Sequence, residues 1–261
     1  MSQQNVNQLL QNAQEEGALS QAAVNVLTVV DLGAQIQAGL GVSVDDVHAS
    51  EVVLVTMMPD DSGSIESAGN VQVIIDGHNM VLDALLESKQ DDSILVHNRY
   101  LNGKVLYPYC SLRQAVRMSN GNYNQFFGTP LYDNSIILLA TVLAKTQEFA
   151  DNGVPVRTVS LIITDGADMG SRRAEAKDVK KVVENMLRCE NHVVATMGIS
   201  DGYTDFRQVF REMGIQDKWI LTPGNTKSEI RKAFLLFSQS AVRASQTAGT
   251  FSQTVLAGFG N

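Results

Sequence analysis

Residues 52–64 read VVLVTMMPDDSGS, and this stretch decides how the rest of the chain is interpreted. An almost unbroken apolar run extends to Met58, which is typical of a strand buried on both faces of a parallel sheet. Pro59 ends the run, and two carboxylates, two hydroxyls and a glycine follow it. Ligands bind beyond the carboxyl ends of the strands in α/β sheets, so this turn is predicted to form the rim of a site.

The rest of the chain alternates apolar strands with amphipathic helices. Further strands are predicted, in chain order, at Ser93–Val96, Val105–Tyr107, Thr158–Thr164, His192–Gly198 and Trp219–Leu221. Asn102 and Gly103 form a two-residue hairpin signal, so the strands on either side of them are predicted to be antiparallel. The sequence therefore predicts a Rossmann-like, three-layer α/β fold. Its central sheet is mainly parallel, with one antiparallel strand from the hairpin and helices on both faces.

The chain is predicted to have three parts. Residues 1–50 form an N-terminal helical appendage, in which a single helix is expected over Leu19–Ala38 with Ser20 as its N-cap. Residues 51–244 form the main domain. Residues 245–261 are rich in Ser, Thr, Gly and Ala, and they are expected to be a flexible C-terminal tail.

Charge and cysteine content exclude several classes of function. The net charge is -8 and the isoelectric point is about 5.0, which disfavours binding to nucleic acid or to a membrane surface. The two cysteines are far apart, so neither a zinc motif nor a disulfide framework is predicted. The polar N-terminus does not resemble a signal peptide, and no apolar run is long enough to span a bilayer. A cytoplasmic protein is expected.

Five oxygen-bearing side chains are predicted to meet at the carboxyl edge of the sheet: Asp60, Ser62, Ser64, Thr129 and Asp165. Such donors suit hard cations, with Mg²⁺ expected and Mn²⁺ or Ca²⁺ as alternatives. Three of the five are neutral hydroxyls, so a bound ion would stay electrophilic and would attract a carboxylate from another molecule. This chemistry favours a docking site over a catalytic site.

The same residues resemble the metal-ion-dependent adhesion site of the von Willebrand factor type A (VWA) domain. PDDSGSI is similar to the first motif of that family, GTPLYD to the second and LIITDGAD to the third, and the resemblance covers residues 51–244. It implies that Ser62, Ser64 and Thr129 bind the metal directly. Asp60 and Asp165 are implied to act mainly through bound waters. It also implies metal-dependent binding of another protein through that protein's acidic side chain.

Within the family, TPLYD and the ending EIRKAFLLFSQSAVRASQ look most like bacterial intracellular members, including those near tellurite-resistance and stress systems. One departure from the family is Asp61, because the corresponding position is usually small or uncharged. The family resemblance does not extend to the segment before Glu51.

Two other classes of function stay open. A metal-dependent hydrolase or phosphoryl-transfer enzyme is one, although no P-loop, no HExxH and no histidine placed as a general base is present. The other is an assembly protein that joins a larger complex through its N-terminal helix and C-terminal tail, with an oligomer formed through that helix, and holds a structural metal. Of the histidines, His78 is predicted to lie in the core and His97 to be exposed at a strand end.

Overall fold

The computed structural model describes residues 3–28, 32–88, 91–125, 128–246 and 258–259. Its α-helices, in chain order, are α1 (Gln3–Glu15), α2 (Gln21–Leu27), α3 (Leu32–Leu40), α4 (Gly63–Ser67), α5 (Val71–Leu86), α6 (Leu131–Ala150), α7 (Ala176–Arg188), α8 (Phe206–Glu212) and α9 (Lys227–Gln246). Its β-strands are β1 (Val52–Met58), β2 (Ile94–Arg99), β3 (Val105–Ser111), β4 (Val156–Thr164), β5 (His192–Gly198) and β6 (Ile220–Leu221).

The strands form one sheet in the order β3-β2-β1-β4-β5-β6. Every neighbouring pair is parallel except β2 and β3, which form the hairpin. All seven residues of β1 are buried, because β2 and β4 flank it and helices cover both faces. The predicted fold class is therefore confirmed. The strand order also brings the ends of β1 and β4 together, which places Asp60 beside Asp165.

Helix α6 lies between the sheet and the N-terminal helices. It is mainly apolar, and 16 of its 20 residues are buried, so it is enclosed on nearly all sides. A helix of this kind needs cover on its outer face as well as its inner face. Helices α1 and α3 provide that cover, and Val6, Leu10 and Ile36 belong to the same apolar cluster as the α6 side chains. The segment before β1 thus packs on the main domain through α6.

The prediction of one helix over Leu19–Ala38 is wrong. The Ser20 hydroxyl accepts a hydrogen bond from the Ala23 N–H at 3.2 Å, so the predicted N-cap is present at the start of α2. Helix α2 ends at Leu27, and the Thr28 hydroxyl donates to the Val24 carbonyl at 2.8 Å. A β-branched residue that bonds back to the preceding turn weakens a helix at that point. Residues 29–31 lie outside the described ranges.

Part of the predicted C-terminal tail cannot be compared with the structure, because residues 247–257 and 260–261 lie outside the described ranges. Ser245 and Gln246 complete α9. Phe259 is buried edge-on against Trp219, with 5.3 Å between the ring centroids, and its N–H donates to the Lys218 carbonyl at 3.1 Å.

No single helix within the described ranges has the length and apolar character needed to cross a membrane. By length and composition alone, the bent pair made of Gln21–Leu27 and Leu32–Asp46 passes the same test.

Two histidines near the hairpin are both fully buried. His78 lies in the core as predicted, where its Nε2 is 2.9 Å from the Tyr107 hydroxyl. The prediction that His97 is exposed is wrong. Its ring is covered by α3, where a Cβ on Gly39 would lie 3.1 Å from it, and its Nδ1 is 2.8 Å from the Tyr107 carbonyl.

The buried His78 should make stability depend on pH. Burial, and secondly the charge of Arg117, lower the His78 pKa to about 4 from its ordinary 6.5. The unfolded chain therefore takes up a proton at a higher pH than the folded chain, and stability falls as the pH drops from 6.5 towards 4. The advantage in unfolding free energy of the natural protein over His78→Gln is expected to shrink by about 2 kcal/mol between pH 7 and pH 5.

Urea unfolding at the two pH values measures this change. His48→Gln, at an exposed position, is the matched control. An advantage over His78→Gln that is the same at pH 5 as at pH 7 would show that His78 is already solvated in the folded protein.

Candidate metal centre

The turn after β1 is held in place by the Asp60 side chain. Asp60 is fully buried, and its Oδ1 accepts a hydrogen bond from the Ser62 N–H at 2.7 Å. Its Oδ2 accepts from the Thr164 hydroxyl, also at 2.7 Å, at the end of β4. Burial raises the pKa of Asp60, while the bonds from Ser62 and Thr164 lower it. The carboxylate therefore ties the ends of the two central strands together.

Two serine hydroxyls and Asp165 form a chain of hydrogen bonds at this edge. The Ser64 hydroxyl donates to Asp165 Oδ1 at 2.5 Å, and the Ser62 and Ser64 oxygens are 2.8 Å apart. Because Ser64 gives its one proton to Asp165, Ser62 is the donor in the bond between the two hydroxyls. Lone pairs of both serine oxygens are left available to a cation.

The third segment of the site is the residue before α6. Thr129 is joined to Met169 by an antiparallel bridge, with N–H to carbonyl distances of 2.9 and 2.8 Å. Its hydroxyl faces the turn after β4, because a Cβ placed on Gly166 would lie 3.7 Å from Thr129 Oγ1. No described residue forms a hydrogen bond with that hydroxyl. The loop thus places a further neutral oxygen beside Asp165.

Electrostatics make the site receptive to positive charge. Burial, with smaller contributions from the charges of Asp60 and Asp201, raises the pKa of Asp165 to about 6 against the lowering effect of the Ser64 bond. Ionised carboxyl groups at neighbouring strand ends repel one another. A cation placed among them would relieve that repulsion.

Asp61 has a role that the sequence does not reveal. It is 1% exposed, and its Oδ1 accepts from the Asn102 N–H at 3.0 Å, which links the turn after β1 to the β2–β3 hairpin. Its Oδ2 has no hydrogen-bond partner among the described residues. Burial and the charge of Asp60 raise the pKa of Asp61 to about 7, although the Asn102 bond lowers it.

Three residues support the site in ways that the sequence does not predict: Thr164 and Tyr123 through their side chains, and Asn102 through its backbone N–H. The Tyr123 hydroxyl donates to the Asp60 carbonyl, and its ring packs on Tyr100 with 5.4 Å between centroids. Thr164 precedes Asp165 at a strand end and Asn102 belongs to the predicted hairpin turn, but no local pattern pairs either of them with the turn after β1. All three reach Asp60 or Asp61 over 41 to 104 positions of the chain.

The donor set suits a hard divalent cation. No group of three or more His, Cys, Asp or Glu side chains in the described ranges is arranged to hold a metal, so an ion at this edge would depend on the hydroxyls. All five predicted side chains offer oxygen, as Mg²⁺, Mn²⁺ and Ca²⁺ prefer. The residues present therefore fit a divalent cation.

Two exposed apolar side chains flank this edge. Met169 is 74% exposed beside Thr129, and Tyr203 is 97% exposed in the loop after β5. Asp201 accepts hydrogen bonds from the N–H groups of Tyr203 and Thr204 and so orders the Tyr203 loop. Met and Tyr are enriched in protein interfaces, so this edge has the composition of a contact surface.

Sequence comparisons give no relatives: no family model and no curated protein matches the chain. Several solved structures share its fold. The pilus adhesin SpaC from Lactobacillus rhamnosus GG matches 75% of this chain and 31% of its own, with 12% identity and a TM-score of 0.54. Proximal thread matrix protein 1 from the mussel byssus matches 74% of this chain and 46% of its own, with 16% identity and a TM-score of 0.50.

Another similar structure is a von Willebrand factor type A protein from Catenulispora acidiphila. It matches 74% of this chain and 43% of its own, with 16% identity and a TM-score of 0.49. The matched regions cover less than half of each of these three proteins. At such identities the likenesses concern the fold alone.

Proposed function

We propose that this chain is a VWA-type domain that binds another protein through a divalent cation at the edge formed by Asp60, Ser62, Ser64, Thr129 and Asp165. The observation that carries the proposal is the convergence of three separate segments on one set of oxygens, with Ser64 bonded to Asp165 across 101 positions of the chain. A plain polar turn would not need oxygen-bearing side chains from three segments at one edge of the sheet.

Each residue has a distinct role in this proposal. Ser62, Ser64 and Thr129 supply neutral oxygens to the cation, while Asp60 and Asp165 supply charge and orient its water. When bound, the cation acts as a Lewis acid that accepts a carboxylate oxygen from the partner. Because most direct ligands are uncharged, the positive charge is only partly neutralised, and an acidic side chain of the partner completes the site.

Docking fits the surroundings better than hydrolysis does. A hydrolase needs a general base that can reach a water molecule beside the metal. His78, His97 and His192 are all buried with their pKa values lowered. Asp61 has a suitable pKa of about 7, but it is 1% exposed and one of its oxygens is occupied by Asn102.

Melting the protein in different ions tests the metal site directly. A cation that binds only the folded state, at 100 times its dissociation constant, is expected to stabilise the protein by about 2.7 kcal/mol. For a chain of this size that corresponds to a rise in melting temperature of roughly 5–10 °C. The measurement compares EDTA with Mg²⁺, Mn²⁺ and Ca²⁺.

Potassium chloride at matched ionic strength is the control for general salt effects. One melting temperature shared by EDTA and all three divalent ions would contradict the metal site. The bacterial cytoplasmic setting, the link to stress responses and an oligomer formed through the N-terminal helix stay predictions.

A further inference from the structure

A cavity of about 570 Å³ lies beside the proposed metal centre and is separate from it. It is bounded by α2, α3, the first turns of α6 and the loop that leads into α7. Part of the lining is apolar and includes Val26, Ile136 and Ile137, and a polar wall is formed by Gln35 and Asn134. The volume is within the range of small-molecule sites, and the lining is amphipathic.

An arginine is buried directly behind the polar wall. Arg99, at the end of β2, is 1% exposed, and its Nη2 donates to the carbonyls of Gln35 at 3.4 Å and Gly103 at 3.2 Å. Its Nη1 donates to the Thr141 hydroxyl at 3.3 Å, and its Nε has no partner among the described residues. These distances lie at or beyond the upper end of the roughly 2.7–3.2 Å that is usual for N–H···O hydrogen bonds.

The charge of Arg99 is not balanced nearby. No carboxylate of a described residue contacts its guanidinium group, and burial lowers its pKa to about 10. His97 lies on the same face of β2, and its pKa is lowered to about 3 by burial and then by the charge of Arg99. A buried cation with weak hydrogen bonds and no counter-charge is costly. The region behind the cavity therefore has an excess of positive charge.

The mouth of the cavity adds to that excess. Arg172 and Arg173 are exposed there, and neither forms an ion pair with a described residue. The nearby carboxylate of Asp133 is already occupied, because it accepts hydrogen bonds from the N–H groups of Arg172, Arg173 and Ala174 at 2.8–3.0 Å. Asp178 likewise accepts from Glu175 N–H and Lys181. Hydrogen bonds from backbone N–H groups leave the charge of Asp133 in place, but it is one negative charge against the two of Arg172 and Arg173, while Asp178 is paired with Lys181.

We propose that this cavity binds a small amphipathic organic anion, with its carboxylate or phosphate head at the polar wall and its apolar body against Val26, Ile136 and Ile137. Arg99 attracts the head from behind the wall across a low-dielectric layer, in which charge interactions are strong. Arg172 and Arg173 hold the anion at the mouth. The proposed anion site is independent of the metal centre, since none of the five proposed metal-site residues lines the cavity.

Isothermal titration calorimetry of the full chain with octanoate, octyl phosphate and octanol tests the proposal. The anion that binds better is expected to occupy one site about ten-fold more tightly than octanol. Arg99, Arg172 and Arg173 attract its charged head group, whereas the neutral hydroxyl of octanol gains little from them. The ratio between octanoate and octyl phosphate identifies the head group that the site prefers. Equal affinities for octanol and both anions would overturn the proposal.

Variants separate this site from unspecific binding. The double variant Arg172→Gln, Arg173→Gln lies on the surface and should weaken binding of the anion about three-fold while leaving octanol unchanged. Lys232→Gln, a charge removal on α9, is the control and should have no effect. Arg99→Met should weaken anion binding as well. Anion binding that is indifferent to the double variant would overturn the proposal.

Asp31 lies between α2 and α3 in the sequence, outside the described residues. Its carboxylate is the main alternative to a bound anion as the counter-charge of Arg99. If the chain's own carboxylate balanced Arg99, the natural protein would not bind the anions and Asp31→Asn would bind them. That result would overturn the proposal. Anion binding by the natural protein, with little change in Asp31→Asn, is the expected result.

Discussion

Gly41→Ala is expected to destabilise the protein by about 4 kcal/mol, which is an exceptional effect for one methyl group. Gly41 has a φ of +62°, a conformation that costs other residues about 1–2 kcal/mol. A Cβ at this position would also overlap the Tyr109 carbonyl oxygen and lie 2.7 Å from the carbonyl carbon and the nitrogen of Tyr109. Tyr109 cannot move aside, because it belongs to β3 and its hydroxyl is 2.6 Å from that of Thr56 in β1.

The position matters because the chain turns there from the N-terminal helices onto the sheet. The Val42 N–H donates to the Tyr109 carbonyl at 2.9 Å, and the Val42 carbonyl accepts from the buried Lys145 of α6. A shift at Gly41 would break both bonds and loosen the cover over α6. The stability lost in Gly41→Ala therefore reports how much the packing of residues 1–50 contributes to the stability of the domain.

Gly17→Ala is the matched control. Gly17 also has a positive φ, of +80°, but a Cβ there meets nothing within 4 Å. It should cost only the backbone strain, about 1–2 kcal/mol. Guanidinium unfolding of both variants gives the two values. Equal losses would mean that residues 41–42 do not pack on β3 as described.

The predictable part of the fold follows from local patterns. Buried strands were placed within a few residues, because near-continuous apolar runs are distinctive and the Asn102-Gly103 turn defines the hairpin. The sequence also predicts the three segments of the candidate site, two of them from strand ends and the third, with Thr129, from the loop before a helix. These features depend on neighbours along the chain, which a sequence displays directly.

The parts that were missed depend on contacts between distant segments. His97 was expected at the surface because it follows an apolar run near a turn, whereas α3 covers it through Gly39. Thr164 and Tyr123 form hydrogen bonds with Asp60 from 104 and 63 positions away along the chain, and no local pattern predicts such pairs. The mainly apolar sequence of α6 does indicate that a second layer covers this helix on the side away from the sheet.

Ser62→Ala and Thr129→Val are expected to abolish the response of the protein to divalent cations. Removing a direct ligand should weaken cation binding by about 100-fold or more, given that changes to the outer partners of a metal site already cost 10–100-fold. At the concentration that stabilises the natural protein by about 2.7 kcal/mol, the remaining stabilisation would be about 0.4 kcal/mol. Melting with and without Mg²⁺ measures this loss.

The two variants should leave the fold intact in the absence of metal. Ser62→Ala removes one hydrogen bond, to Ser64, with a typical cost of about 1 kcal/mol. Thr129→Val keeps the shape of a side chain whose hydroxyl bonds to no described residue. Ser67→Ala is the matched control, since Ser67 lies on α4 with its hydroxyl bonded to the Gly63 carbonyl at 3.0 Å.

Binding of a partner supplies the second readout. A protein held in Mg²⁺ and released by EDTA should be retained by the natural chain and by Ser67→Ala, and lost from Ser62→Ala and Thr129→Val. Retention by all four chains, unaffected by EDTA, would contradict docking through a cation. Loss of the partner together with a full cation response would place the partner's contact elsewhere on the edge, where Met169 and Tyr203 are the exposed apolar side chains.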